Sequence, residues 1–312
     1  MLVVIALGGN AMLQREQPVE LHVQRETLRQ AADAIAQIAK EHQVVLTHAN
    51  GPEMALLSLM NEDYEEVNNY PVNVLGAQTQ GMIGFVFEQE LRNAMADEQI
   101  LAVTTHTLIN TRDPAFLDPD HAVGPVFTYD QAQAIQNANP EWMLKADGNY
   151  FRRVVPSPAP QSILELASLR HIVASGNITL LCGGGGGIPV RRDSEGMLHG
   201  IPAVIDKDRT SCLLAEGIEA DALVILTDAD AIETQYQQPG SRRIKRCTPE
   251  ALEQHEFAAD TIGPKVESVC QFVRAGGKFA AIGALDRAVD ILAGESGTHV
   301  MVDVPDGITY YD

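Results

Sequence analysis

The chain has 312 residues and a formal charge of −20, from 22 Lys plus Arg against 42 Asp plus Glu. That length suits one large domain or two small ones with a substantial core, and so acidic a surface repels nucleic acid and anionic lipid, which excludes both as expected partners. An anionic ligand must therefore be held by a few local lysines, by glycine N–H groups or by a bound cation, against the long-range field.

The opening MLVVIALGGNAML is apolar, lacks a basic leader and is broken by Gly8 and Gly9, so it reads as a strand rather than a signal peptide. Apolar runs that end in glycine or small polar residues recur in VVLTHANGP (44–52), ITLLCGGGGGIP (178–189), ALVILTDAD (222–230) and KFAAIGAL (278–285). Such runs predict strands buried on both faces, as in parallel sheets covered by helices. Between them, VQRETLRQAADAIAQIAKEH (23–42) places Leu28, Ala31, Ile35 and Ile38 on one helical face, and DRTSCLLAEGI (208–218) predicts a helix capped by Asp208. The alternation predicts a three-layer α/β/α sandwich on an open, mainly parallel sheet.

From about 111 to 160 the alternation is lost and prolines and aromatics accumulate, which predicts a small protruding subdomain rather than one long loop. No run reaches the roughly 18 apolar residues of a membrane span. Cys182, Cys212, Cys247 and Cys270 form no C-x-x-C pair, so reduced thiols in a cytoplasmic protein are expected rather than a disulfide framework or a zinc site.

In open parallel sheets ligands sit beyond the carboxyl ends of the strands, where the glycines fall here. Gly8-Gly9-Asn10, Asn50-Gly51-Pro52 and the five glycines Gly183 to Gly187 are expected to form one anion cradle, because backbone without Cβ atoms can turn its N–H groups to phosphate. Neither a Walker A loop nor a G-x-G-x-x-G dinucleotide turn is present. In PAVIDKDRT (202–210), Asp206, Lys207 and Asp208 suit phosphoryl transfer, the ammonium neutralising the moving group while a carboxylate orients it or binds Mg²⁺. Lys265 follows a Gly-Pro turn, Lys145 lies in the central excursion, and Arg152-Arg153 is a candidate anion clamp or an ion-pairing site on the acidic surface. His48 reads as a positioning donor or core histidine before a general base.

In combination these segments are specific. IALGGNA (5–11), THANGP (47–52), GAQTQGMIG (76–84), DPAFLDPD (113–120), FRRVVPSPAP (151–160), GGGGGIPV (183–190), AVIDKD (203–208), LVILTDAD (223–230), GPKVES (263–268) and GESGTHV (294–300) occur in this order, and the whole chain resembles the carbamate kinases of the amino acid kinase family. The resemblance implies a homodimer and Mg²⁺-dependent phosphoryl exchange, ADP plus carbamoyl phosphate to ATP plus carbamate. It implies an acceptor and phosphate-binding part at about 1–200, with the subdomain inserted in it, and a nucleotide-binding part at about 201–312. Lys145, Lys207, Asp208 and Lys265 match the catalytic positions; Gly8, Gly9, Asn10, Ala49, Asn50, Gly51, Gly183, Gly184 and Gly185 the phosphate-binding ones; and Lys207, Thr227, Asp228, Gly263, Pro264 and Lys265 the nucleotide-binding ones, with no resident metal ligand. Ala6 stands where many relatives outside the carbamate branch carry a lysine.

The chain departs from the family at HANGPEMA (48–55), where Ala49, Glu53 and Ala55 replace glycine, glutamine and glycine, and at Asp260, which replaces glycine. Ala49 is expected either to obstruct the anion or to be strained at positive φ, at about 1 kcal/mol, and Glu53 to place negative charge beside the phosphate path. A kinase for another small carboxylate or carbamoyl-type acceptor and a nucleotide-binding protein without catalysis are the alternative readings.

Overall fold

The computed structural model describes residues 1–13, 17–63, 69–176, 178–235, 240–258 and 262–311. Asp260 lies outside them, and of Asn10 only the backbone is described. In chain order the first elements are β1 (Leu2–Leu7), α1 (Gly9–Met12), α2 (Leu21–Ala39), β2 (Gln43–His48), α3 (Gly51–Asp63), α4 (Val72–Ala94), β3 (Gln99–Val103) and β4 (His106–Ile109). The middle contains β5 (His121–Phe127), α5 (Tyr129–Ala138), β6 (Met143–Asp147), β7 (Tyr150–Val155), β8 (Pro160–Ile163), α6 (Leu166–Ser175), β9 (Ile178–Gly184), β10 (Ile188–Arg192) and β11 (Leu198–Gly200). The last part runs α7 (Lys207–Gly217), β12 (Ala222–Thr227), β13 (Ile244–Cys247), α8 (Pro249–Leu252), α9 (Gly263–Arg274), β14 (Phe279–Ala284), α10 (Ala288–Leu292), β15 (Thr298–Val300) and β16 (Ile308–Tyr310).

The five apolar runs become β1, β2, β9, β12 and β14, and they lie together in one sheet of order β16-β13-β15-β14-β12-β1-β2-β9-β3. The stretch from β14 to β3 is parallel throughout; β15, β13 and β16 extend it beyond an antiparallel step at β14. Val3 to Leu7 of the central β1 have no exposed surface, which is why the run is apolar without alternation. Val4 and Ala6 enter one core layer, with Ile225 of β12 and residues of α7 and α9. Val3, Ile5 and Leu7 enter the opposite layer, where Leu28, Ala31, Ile35 and Ile38 of α2 pack beside α4. The α/β/α sandwich is thus two cores divided by a sheet, and the face expected of α2 is the face it buries.

Register brings the strand ends to one edge. Leu7 pairs with both His48 and Leu226, His48 with Gly184, and Thr227 with Ala284, so the glycine turns after β1, β2 and β9 share that edge with Thr227. A second sheet, β11-β10-β4-β8, follows from the strands leaving β3 and β9. Within 111–160 the chain builds a third sheet, β5-β7-β6, antiparallel throughout, and α5 is started by a capping box between Thr128 and Gln131. Among the described residues no helix is long and apolar enough to cross a membrane.

One expected boundary is corrected. Helix α7 begins at Lys207, and its cap is Asp206, whose carboxylate accepts from the Arg209 N–H. Asp208 lies inside the first turn instead, and its carboxylate is left for another role.

The glycine run is also packed against distant side chains. A Cβ on Gly183 would lie 2.6 Å from the Thr105 hydroxyl, on Gly184 2.0 Å from the His48 ring, on Gly185 2.3 Å from the Asn50 amide, on Gly186 2.2 Å from the Ile205 carbonyl and on Gly187 2.3 Å from the Thr107 hydroxyl. Every one of the five side chains is excluded by the protein itself. Gly186 is also held at φ +78°, whereas Gly148, at φ +59°, has nothing within 4 Å of a built Cβ. Gly186→Ala is therefore expected to lower stability by upward of about 3 kcal/mol and Gly148→Ala by about 1 kcal/mol; urea unfolding of both variants checks the difference, and equal losses would contradict the packing account.

Candidate functional site

The centre of the site is built at the start of two packed helices. Asp208, 2% exposed, accepts from the Lys207 ammonium on Oδ1 and from the Lys265 ammonium at 2.8 Å on Oδ2. Lys207 opens α7 and Lys265 lies in the first turn of α9 beside Pro264, so two cations project from two helix N-termini, where backbone N–H groups add positive potential. Burial pulls the Lys207 ammonium below its ordinary range, and Asp208 offsets part of that. For Asp208 burial acts upward, but the two ammonium groups outweigh it and hold the carboxyl below the usual range. Burial and then the Asp208 charge push Asp206 upward. Taking one partner from so buried an ion pair typically costs about 3–5 kcal/mol, because the remaining charge is left unmatched.

Around this centre, polar side chains fasten the loops. Asn50 donates to Thr79 at 2.8 Å, Gln80 reaches the Thr105 and Gly184 carbonyls at 3.3 Å each, and the Thr107 and Thr210 hydroxyls both donate to the Gly186 carbonyl. Thr47 and Ser211 share a hydrogen bond of 2.6 Å. Thr79, Thr107 and Ser211 have no exposed surface. Apart from Asn50, these side chains were not singled out individually in the sequence; the available signal was polar Thr79-Gln80 inside the otherwise apolar stretch of α4.

The remaining expected residues divide. The Gly8 N–H bonds the Leu226 carbonyl at 2.8 Å, and a Cβ there would meet the same oxygen at 2.8 Å. At Gly9 a Cβ would come no nearer than 3.8 Å to the Ala49 methyl, and at Gly51 nothing lies within 4 Å, so packing does not require glycine at these two positions. Thr227 ends β12 and donates to Asp228 at 3.0 Å. The Gly263 N–H bonds the Ala258 carbonyl at 2.9 Å. Lys145, on β6, pairs with Asp118 at 2.6 Å rather than with Asp208 and is 37% exposed. Arg152 donates to the Gly124 carbonyl while Arg153 stacks on Trp142, 3.6 Å from the ring centre, so the two do not act as one clamp.

The departures at 48–55 are absorbed locally. Positive φ among described non-glycine residues occurs only at Glu219 and Asp306, so Ala49 carries none of the expected strain, and its methyl packs against the α2-side core. Glu53 is 2% exposed and accepts from Gln24 of α2 at 2.6 Å; it is a buried acid partnered by α2. Burial, chiefly, holds its carboxyl above the ordinary 4.5. The folded chain therefore binds that proton more tightly than the unfolded chain, and stability falls as pH rises from about 4.5 through the raised value. Glu53→Gln keeps the acceptor for Gln24 and removes the charge. Its unfolding free energy is expected to exceed that of the parent at pH 8, with the gap closing toward pH 4.5; a gap independent of pH would refute this assignment.

No group of three or more His, Cys, Asp or Glu able to hold a metal ion occurs among the described residues.

Comparison with known proteins agrees with the geometry. The amino acid kinase family model matches residues 1–283. Carbamate kinase from Rhizobium meliloti (strain 1021) is 44% identical over 314 aligned positions, covering 100% of this chain and 96% of that protein, and carbamate kinase from Haemophilus influenzae is 40% identical over 312, covering 100% of both. The structure of carbamate kinase from Giardia lamblia bound to AMP-PNP superposes with a TM-score of 0.90 at 36% identity, covering 97% of this chain and 98% of that one. With the buried lysine pair at the carboxyl edge of the sheet, these matches place the chain in the amino acid kinase family, as a member of its carbamate kinase branch.

Proposed function

We propose that the chain catalyses reversible, Mg²⁺-dependent phosphoryl transfer between ATP and carbamate, ADP plus carbamoyl phosphate giving ATP plus carbamate. The observation that carries this reading is the convergence of Lys207 and Lys265 on buried Asp208, at the edge where the glycine turns and Thr227 end their strands. In the ATP-forming direction a terminal oxygen of ADP attacks phosphorus, the bond from phosphorus to the carbamate oxygen breaks, and carbamate leaves with the electron pair. Such a transfer needs positioning and charge neutralisation more than covalent help. Lys207 and Lys265 face the equatorial oxygens, and Asp208 keeps the two ammonium groups together despite their repulsion. Carbamate is an anion and needs no base in the reverse direction. Mg²⁺ would enter with the nucleotide, with the Asp206 or Asp208 carboxylate to hold it, and would supply neutralisation of phosphate charge.

Gly9 and Gly51 are the turns whose lack of a Cβ packing does not explain, and in this reading their backbone meets the acceptor phosphate together with Gly8, Asn10, Ala49 and Asn50. Gly183, Gly184 and Gly185 supply the floor, and Thr227, Asp228, Gly263 and Pro264 border the nucleotide. The unit at about 111–160 closes over the site and brings Lys145 from Asp118 toward the transferred group; about 1–200 binds acceptor and about 201–312 nucleotide. A cytoplasmic homodimer completes the proposal. The exposed Phe85 of α4 and Leu101 of the edge strand β3 supply an apolar face for it, and sedimentation at twice the 33.8 kDa chain mass checks it.

ATP formation from ADP, Mg²⁺ and carbamoyl phosphate by purified protein tests the function. Turnover is expected in the parent chain, with a fall of about 10²–10³-fold in Lys207→Ala while the fold persists. A folded, nucleotide-binding parent that forms no ATP with carbamoyl phosphate would overturn the reading and turn attention to another acceptor or to a non-catalytic role.

A further inference from the structure

His48 ends β2 with no exposed surface. Its Nδ1 lies 2.8 Å from the Ala49 carbonyl, and because a carbonyl only accepts, Nδ1 carries the hydrogen and Nε2 a lone pair. Nε2 is buried without a hydrogen-bond partner, an unmet acceptor of the kind that native interiors rarely leave. Burial first, and then the Lys207 charge, push the ring down to about 4 although the Ala49 bond acts upward, so it stays neutral at physiological pH.

The same ring lines a cavity of about 10 Å³ beneath the glycine run, together with Thr47, Thr105, Lys207, Thr210 and Ser211. That is the lower limit of the space one water needs, and the wall is mixed, with Ile163, Cys182 and Leu214 beside the polar groups. Proton bookkeeping agrees. Ser211 donates its hydroxyl hydrogen to the Lys207 carbonyl at 2.7 Å, so in the 2.6 Å Thr47–Ser211 pair Thr47 is the donor and keeps lone pairs to accept. A water here would find acceptors in His48 Nε2 and Thr47 Oγ1 and donors in the Thr105 hydroxyl and the Lys207 ammonium, all on residues that line the cavity.

We propose that this cavity is a single-water site and that His48, acting through the water, is a positioning residue which fixes the glycine run against the first turn of α7. The ring already occupies the place of a Gly184 side chain, 2.0 Å from a built Cβ, so it spaces β2 from β9. The water continues that spacing to the backbone that carries Lys207. The site is independent of the reaction; its part in catalysis rests on the transfer proposed above.

Two measurements test it. A crystal structure at about 1.5 Å resolution is expected to show one ordered water on His48 Nε2; an empty cavity, or direct protein contact at Nε2, rejects the site whether or not the enzyme reaction is as proposed. In the carbamoyl phosphate assay, with parent turnover as the reference, His48→Phe keeps ring volume without the acceptor and is expected to lower kcat about 10-fold or more at nearly unchanged KM for ADP. His48→Gln, whose amide can both donate and accept, is expected to recover part of that loss. Parent-like kcat in His48→Phe, or equal losses in both variants that follow their melting temperatures, would reduce His48 to a packing residue.

Discussion

Two ammonium groups from helices packed side by side repel one another, and Asp208 is what lets them share a place. Its two carboxylate oxygens take one lysine each, from inside a helix whose cap is supplied by Asp206. Had Asp208 been the cap, its oxygens would have been spent on backbone N–H groups. The division of labour between consecutive acidic positions leaves one carboxylate for the helix and one for the lysines. In a chain of charge −20, this is how positive potential is concentrated at one edge of the sheet while the surface at large repels anions.

The rest of the fold keeps that edge in register. Parallel pairing from β14 to β3 puts the three glycine turns and the end of β12 on one side, and polar side chains from α4, β4 and α7 fasten the glycine run beneath the lysines. Because each of Gly183 to Gly187 is crowded by protein atoms, the run behaves as a rigid floor. In the proposed reaction a phosphate there would meet a backbone already held by His48, Asn50 and Thr107, so little ordering would remain to be done. Preorganisation of this kind is where much of the stabilisation of a phosphoryl-transfer transition state arises.

The sheet is legible in the continuous apolar runs, since burial on both faces leaves no room for alternation, and the spacing of Leu28, Ala31, Ile35 and Ile38 marks the face of α2. Lys207, Asp208 and Lys265 were legible from their turn contexts and from a family resemblance covering the whole chain. The cause of the glycine run was not. His48, Asn50, Thr105, Thr107 and Ile205 crowd it from distant points in the chain, and no local pattern encodes such a close approach. Ala49 and Glu53 misled for a related reason: a residue type advertises its charge or its methyl group, whereas direction depends on the partner, here the α2-side core and Gln24. Lys145 stood out by its place in the central excursion, yet its partner Asp118 lies 27 positions earlier and is met only once the third sheet forms.

The central claim is that one carboxylate organises the cationic centre. Asp208→Asn keeps the shape of the side chain, removes its charge and replaces one acceptor oxygen with a donor amide. Steady-state ATP formation by this variant, with circular dichroism confirming the fold, tests the claim most directly. A loss of kcat by about 10²-fold or more is the predicted result; a folded variant with the parent kcat would contradict the account.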